Sequence, residues 1–282
     1  QEPLQTVAIC TNEDCTRPFE SYRTAAEQCP HCGSPLDAIS VHGVQAVNCR
    51  KARQFEDQYS TSPIMTTHVT SRGETTAGEE ATVFGLPCDV AVGGYDVIDF
   101  IPVFERRHTM GSGKEIKRSE ARIPDSDDGD ARYAPVGKQY ATQGICLTFD
   151  QATVADRLPD EALEQEDEAV WPQLFISLEQ ALTKAVAVET QSDQDDFRVK
   201  VTATGDEVRV YIVDNRQGGN GIATQVDRHL DAVVDEVRNV VDCDECSGYC
   251  ENCLLIERTP ATYLDNDLLN RTLLAEALGQ TP

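Results

Sequence analysis

The sequence predicts an α+β fold in three parts, and three observations carry that prediction. Cysteines gather in fours near the two ends, Cys10, Cys15, Cys29 and Cys32 in one set and Cys243, Cys246, Cys250 and Cys253 in the other. Between them, residues 82–105 are rich in β-branched and aromatic residues cut by Gly and Pro, which is how strands read. Residues 171–189 then set Leu174, Leu178, Ala181, Leu182, Ala185 and Val188 at helical spacing, giving a helix with one buried stripe. The predicted parts are residues 1–40, 41–150 and 151–282.

In the first part, Cys10 and Cys15 stand about fourteen residues before the run Cys29-Pro30-His31-Cys32-Gly33. Zinc takes four soft, deprotonated ligands at tetrahedral corners, and a short Gly-containing knuckle lets two thiolates from one turn face one ion. The spacing predicts an N-terminal zinc ribbon. Unrelated thiols, or His31 in place of one cysteine, are the alternatives.

In the second part, residues 70–80 read as a loop and 82–105 as several short strands, a β-rich connecting region. Residues 111–138 have almost no apolar content and read as a long loop, and 138–150 alternate well enough for a further strand. The third part opens on the helix at 171–189 and continues with a hairpin over 197–215 that turns at Thr204-Gly205-Asp206. A Gly-rich turn leads into a helix from about 221 to 242, with Val226, Leu230, Val233, Val234 and Val237 on one face. The second cysteine set closes that helix, and residues 264–278 supply a last short one.

That second set is two CxxC pairs separated by three residues that include Gly248. Disulfides are disfavoured in an intracellular chain, and within such pairs they would close small strained rings. Four thiolates satisfy one zinc ion and leave no open position, so the site is expected to be structural, a four-cysteine zinc knuckle closing a C-terminal α/β domain. An iron-sulfur cluster uses the same ligands, although the run lacks the Pro and the spacing of bacterial ferredoxins. The expected content is therefore two zinc ions per chain. Cys49, Cys88 and Cys146 stand alone and read as small buried hydrophobes.

At 282 residues the chain can bury a sizeable core. No run of eighteen apolar residues spans a bilayer, and the N-terminus has neither a charged start nor an apolar signal core, so the expectation is a soluble, cytoplasmic protein that uses no membrane. It begins at Gln1 rather than Met, as expected of a piece cut from a longer polypeptide. The net charge is −25, from 49 acidic and 24 basic residues, with six lysines beside eighteen arginines. Such acid spread along the whole chain looks like the solvated surface of proteins from salt-loaded, halophilic archaeal cytoplasm, where self-repulsion is screened within a few ångströms. Net charge therefore does not exclude nucleic acid, and local charge decides.

Locally, Arg106, Arg107, Lys114, Lys117 and Arg118, with His108, fall within thirteen residues of an otherwise acidic chain. Phosphate backbones are held by such clusters, and pairing with neighbouring acids is the plainer alternative. Residues 110–115 look like a phosphate loop but fail, because His108 stands where the leading Gly is needed and Glu115 where Ser or Thr is needed. The run Asp167-Glu168-Ala169-Val170 follows an acidic, helix-prone stretch rather than an apolar strand, so a magnesium-binding motor motif is not expected there and no complete ATPase is expected. Asp214 followed by Gly218, Gly219 and Gly221 joins a strand end to a helix start, which either presents amides to an anion or merely turns the chain.

Taken together, the Asp214-to-Gly221 stretch, the helix after it, the compact cysteines followed by Leu254-Leu255, and Leu269-Asn270-Arg271 opening the last helix resemble the MrfA-type zinc-binding domain. That domain ends many DEAD/DEAH-box superfamily 2 DNA helicases and also occurs in DrmB-type proteins of phage-defence systems. The resemblance covers about 171–282. Its hydrophobic-Asp pair and Pro-Gly-Gly-Ala-Gly run are matched by Asp214, Gly218, Gly219 and Gly221, with Gln217 and Asn220 replacing Pro and Ala; Asn270 replaces the Asp of a Leu-Asp-Arg run. It implies an accessory module of an ATP-dependent DNA helicase in DNA repair or phage defence, with the motor upstream or in a partner chain. DNA and that motor are the implied partners. A scaffold that docks the motor without touching DNA is the competing expectation. A hydrolase built on Asp214 is weaker, since no nucleophile and base accompany it.

Overall fold

The computed structural model describes residues 5–10, 12, 21–22, 27–29, 32–43, 66–72, 78–101, 106–109, 116–119, 136–159, 170–246, 248–257, 259, 263–264 and 267–280. In chain order the first strands are β1 (Gln5–Cys10), β2 (Ser21–Tyr22) and β3 (Leu36–Gly43), with β1 antiparallel to both of the others. Next come β4 (Thr66–Ser71), β5 (Glu79–Val83), β6 (Leu86–Ile101), β7 (Arg106–Thr109), β8 (Ile116–Ser119) and β9 (Val136–Asp150). Short α1 (Gln151–Ala155) and long α2 (Val170–Thr190) precede the hairpin of β10 (Phe197–Thr204) and β11 (Glu207–Asp214). Helices α3 (Ile222–Arg228), α4 (Leu230–Val241) and α5 (Arg271–Ala277) complete the described elements.

The two long strands form a spine. β6 and β9 pair antiparallel from Asp89 opposite Thr148 to Ile101 opposite Val136. On the outer edge of β6 lie β4 and β5, and on the outer edge of β9 lies β11, followed by β10. β3 joins the same sheet in parallel at the start of β9, through His42 opposite Val136. The sheet therefore runs without a break across residue 150, from the strands beside the first cysteines to the hairpin before the second set.

Residues 82–105 hold one end of β5 and the single long β6 rather than several short strands. The glycines that read as breaks sit inside the paired spine, Gly93 opposite Gly144. Of that pair, Gly144 is required by close approach: a Cβ there would lie 2.6 Å from Val213 Cγ1 and 2.7 Å from Tyr95 Cδ2. Residues 116–119 form β8 and 136–138 begin β9, where the sequence predicts loop. β8 is a four-residue polar strand with no apolar alternation to reveal it, and its pairing with β7 makes a separate two-stranded sheet.

One face of the main sheet carries the largest core. Ile145, Leu147 and Phe149 of β9 and Val208, Val210 and Ile212 of β11 meet Leu174, Phe175, Leu178 and Leu182 of α2, with α4 and α5 packed behind. Each such side chain contributes about 1.5–3 kcal/mol when fully buried. Because α2 is enclosed by the sheet and by other helices, it buries Phe175, Ile176, Ser177, Glu179 and Gln180 as well as its predicted stripe. Val188, placed on that stripe by spacing, lies beyond the packed turns and is 56% exposed. At the far end of the spine, Ile98 and Phe100 pack on Val7, Ile9 and Val41, which docks the N-terminal strands. The helix predicted over 221–242 is two helices: His229, with φ −122° and ψ 28°, leaves helical geometry and caps both α3 and α4.

Candidate metal centre

Helix α4 delivers the chain to Cys243 and ends there, with Val233, Val237 and Val241 anchoring its buried face. The next eleven residues fold back on themselves so that the thiols of Cys243, Cys246, Cys250 and Cys253 all lie within 4.8 Å of one another. Sγ separations are 3.4 Å for Cys246 and Cys253, and 3.7 Å for Cys243 and Cys250 and for Cys250 and Cys253. A tetrahedral zinc with bonds of about 2.3 Å needs sulfur-to-sulfur edges of about 3.8 Å, so the donors fit one zinc ion. Thiols this close leave no space for the several irons and sulfides of a cluster. The Cys250 amide donates to Cys253 Sγ at 3.0 Å, and the amides of Cys253 and Leu255 both donate to the Cys250 carbonyl.

Electrostatics prepare the thiols unequally. Burial pushes Cys253 up to about 12. At Cys250 burial acts in the same upward sense, but the amides of Asn252 and Cys253 and the neighbouring thiols overcome it and bring this group down to about 7. Lys184 of α2 donates its Nζ to the Glu251 carbonyl; burial lowers its pKa, and the facing thiols pull it back up. Arg271 binds the Val241 carbonyl at 2.9 Å and the Cys246 carbonyl at 2.7 Å, joining the end of α4 to the cysteine loop. Its neighbour Asn270 caps α5 by accepting from the Leu273 amide at 3.0 Å, and its backbone amide donates to Ser177 Oγ at 2.8 Å. The Asn that replaces Asp in the Leu-Asp-Arg run thus performs a capping role.

The glycine turn has an internal anion. Asp214, fully buried at the end of β11, accepts from the amides of Asn220 at 2.7 Å, Gly221 at 2.8 Å and Ala223 at 2.8 Å. The amides at the start of α3 are satisfied by the chain's own carboxylate. Gly218, Gly219 and Gly221 have φ of 82°, 88° and 91°, the left-handed region that favours glycine. At Gly219 a Cβ would also stand 2.9 Å from Asp214 Oδ2. Asn220 donates its side-chain amide to the Asp196 carbonyl at 2.9 Å, and Asn215 accepts from the Tyr140 hydroxyl at 2.9 Å. Tyr140, raised in pKa by burial and then by the charge of Asp99, links this turn to the buried Asp99 of β6.

In the N-terminal strands, Cys10, Cys29 and Cys32 bring their thiols within 4.8 Å of one another, with Cys10 and Cys32 at 3.5 Å. Burial raises Cys10 to about 12. The Gly33 amide donates to the Cys29 carbonyl, and the Cys29 amide donates to the Ser34 carbonyl, closing the second knuckle. Cys15 and His31, the two candidates for the remaining ligand, and the lone Cys49 lie outside the described residues. Cys88 and Cys146 are buried as expected, and burial, then the charge of Asp89, pushes Cys88 up to about 11.

Arg106 and Arg107 lie in β7, and Lys117 and Arg118 in β8; Lys114 lies outside the described residues. Residues that the spacing did not expose are Lys184, Ser177 and Tyr140, whose partners are distant in sequence. Among the described residues, no helix is long and apolar enough to cross a membrane.

A closed, all-thiolate site on an α/β scaffold defines a structural zinc-binding domain. Residues 178–254 match the family of the MrfA Zn-binding domain. Among solved structures, the chain is similar to a DUF1998 helicase MrfA bound to DNA, at 15% identity and a TM-score of 0.46, over 73% of this chain and 25% of that one. It is similar to the DUF1998 helicase MrfA structure at 16% identity and a TM-score of 0.37, over 64% and 21%. A third, MrfA bound to DNA and AMPPNP, gives 14% identity and a TM-score of 0.35, over 68% and 27%. The chain thus spans about a quarter of the length of those helicase chains. No curated protein matches it.

Proposed function

We propose that this chain is a zinc-stabilised accessory module of an ATP-dependent DNA helicase or translocase, acting in DNA repair or phage defence. It carries two zinc ions, one on Cys243, Cys246, Cys250 and Cys253 and one on Cys10, Cys15, Cys29 and Cys32. The motor lies elsewhere in the same polypeptide or in a partner chain, and the module guides DNA beside it through Arg106, Arg107, Lys114, Lys117 and Arg118. The observation that supports this best is the coincidence of the four-thiol knuckle with the family match at 178–254. The glycine turn, its amides already occupied by Asp214, serves as scaffold. The acidic surface suits a salt-loaded cytoplasm, and the basic segment supplies the local exception.

Equilibrium binding to DNA across a salt series tests this reading. With Arg106→Ala and Arg107→Ala together, affinity falls at every salt concentration, and the slope of log K against log salt drops by about 2. Unchanged affinity at matched salt would instead favour a scaffold that docks the motor without touching DNA.

A further inference from the structure

The C-terminal cysteine loop carries its own acids and no base. Asp242, Asp244, Glu245 and Glu251 stand among its thiols, and between Asn239 and Glu257 there is no lysine or arginine. Four thiolates around one zinc ion add a further excess of negative charge, two more than the metal cancels. Charge left uncompensated at a partly buried site is costly, so its cations must come from elsewhere in the fold.

Two of them do. Lys184 of α2 donates to the Glu251 carbonyl. Arg271 of α5 donates to the carbonyls of Val241 at 2.9 Å and Cys246 at 2.7 Å, and its own amide donates to the Gly248 carbonyl at 3.2 Å. Among the described residues, neither cation has a carboxylate within ion-pair distance, in a chain with about twice as many acids as bases. At Lys184 the charges of Cys253, Cys250 and Cys243 each outweigh that of the Glu251 carboxylate. Arg271 Nε is buried with no hydrogen-bond partner, so this guanidinium is held against Cys246 without an acid to neutralise it. The anion that the two share is the cysteine cluster, and their two positive charges match its excess. We infer that Lys184 and Arg271 are the counter-charges of this site: positioning residues that do not ligate the metal, yet set how tightly the knuckle keeps it. Because one stands on α2 and the other on α5, the charge of the site also draws those two helices onto the knuckle. This rests on the zinc reading above and deepens it.

The experiment is competition for zinc between the whole chain and a chromophoric chelator, with Cys29→Ser marking the phase that belongs to the N-terminal cysteines. Lys184→Gln and Arg271→Gln keep a hydrogen-bond donor and remove the charge, whereas Lys184→Arg and Arg271→Lys keep the charge. Circular dichroism of the zinc-loaded chain checks the fold, and the Lys184 pair decides alone where an Arg271 variant does not fold. Each Gln variant is expected to weaken zinc binding at the C-terminal site by about 10–100-fold, and each charge-keeping variant to stay within about threefold of the parent. If Lys184→Gln keeps zinc as the parent does, or Lys184→Arg loses it as readily as Lys184→Gln, the counter-charge inference is overturned while the zinc reading stands. If the parent chain takes up no zinc at the knuckle, both fail.

Discussion

Asp214 is the residue on which the C-terminal architecture turns. Its carboxylate sits with no exposed surface and accepts three backbone amides from the glycine turn and the start of α3. Removing it leaves the buried Ala223 amide and the partly buried bonds of Asn220 and Gly221 without their acceptor, so Asp214→Ala is expected to cost about 2–4 kcal/mol in chemical denaturation. Asp214→Asn keeps one acceptor oxygen and is expected to lose about half as much. A change within about 0.5 kcal/mol for Asp214→Ala would mean that the turn holds itself without the carboxylate. The acid and the glycines were legible in sequence as a turn leading into a helix. That the acid itself occupies the amides was not, because nothing in a one-dimensional pattern says whether a helix start faces outward or toward its own neighbour.

At the level of elements, α5 and the cysteine loop hold each other. Asn270 caps α5 and also donates its side-chain amide to Gln173 of α2 at 3.1 Å, while Arg271 pins the Val241 and Cys246 carbonyls. Asn270→Ala is expected to destabilise the chain by about 1–2 kcal/mol in thermal or chemical unfolding. Asn270→Asp retains the cap but loses the donor to Gln173, so it should recover roughly half of that. If Asn270→Ala leaves stability unchanged, the cap is not what orders this helix. Helical spacing located α2 and α5 because a repeated apolar stripe is a local signal. The break at His229 left no such trace, since Val226, Val233 and Val237 keep to one face on both sides of it. The joining of Gly93-Gly94 into a single strand was equally hidden, because the pairing that carries β6 through them comes from β9, distant in sequence.

For the molecule as a whole, one sheet connects two thiol clusters, with β6 and β9 as the shared spine. Metal and fold are then one equilibrium: ligands that must lose their protons to bind zinc also tie down α4, the knuckle and α5. The C-terminal ligand set was readable from spacing alone, because four cysteines in eleven positions can converge without help from distant parts of the chain. Its supporting shell was not, since Lys184 comes from α2, and Arg271 follows the knuckle by eighteen residues. The proposed DNA binding belongs to this scale too, because the basic residues of 106–118 belong to a chain of net charge −25 and would have to act locally. The most direct measurement is elemental analysis of the purified chain with X-ray absorption at the zinc edge. Two zinc ions per chain in four-sulfur tetrahedra are expected, falling to one in Cys29→Ser and to one, with loss of C-terminal structure, in Cys250→Ser. Iron in place of zinc, or a chain that folds fully with neither site filled, would contradict the account.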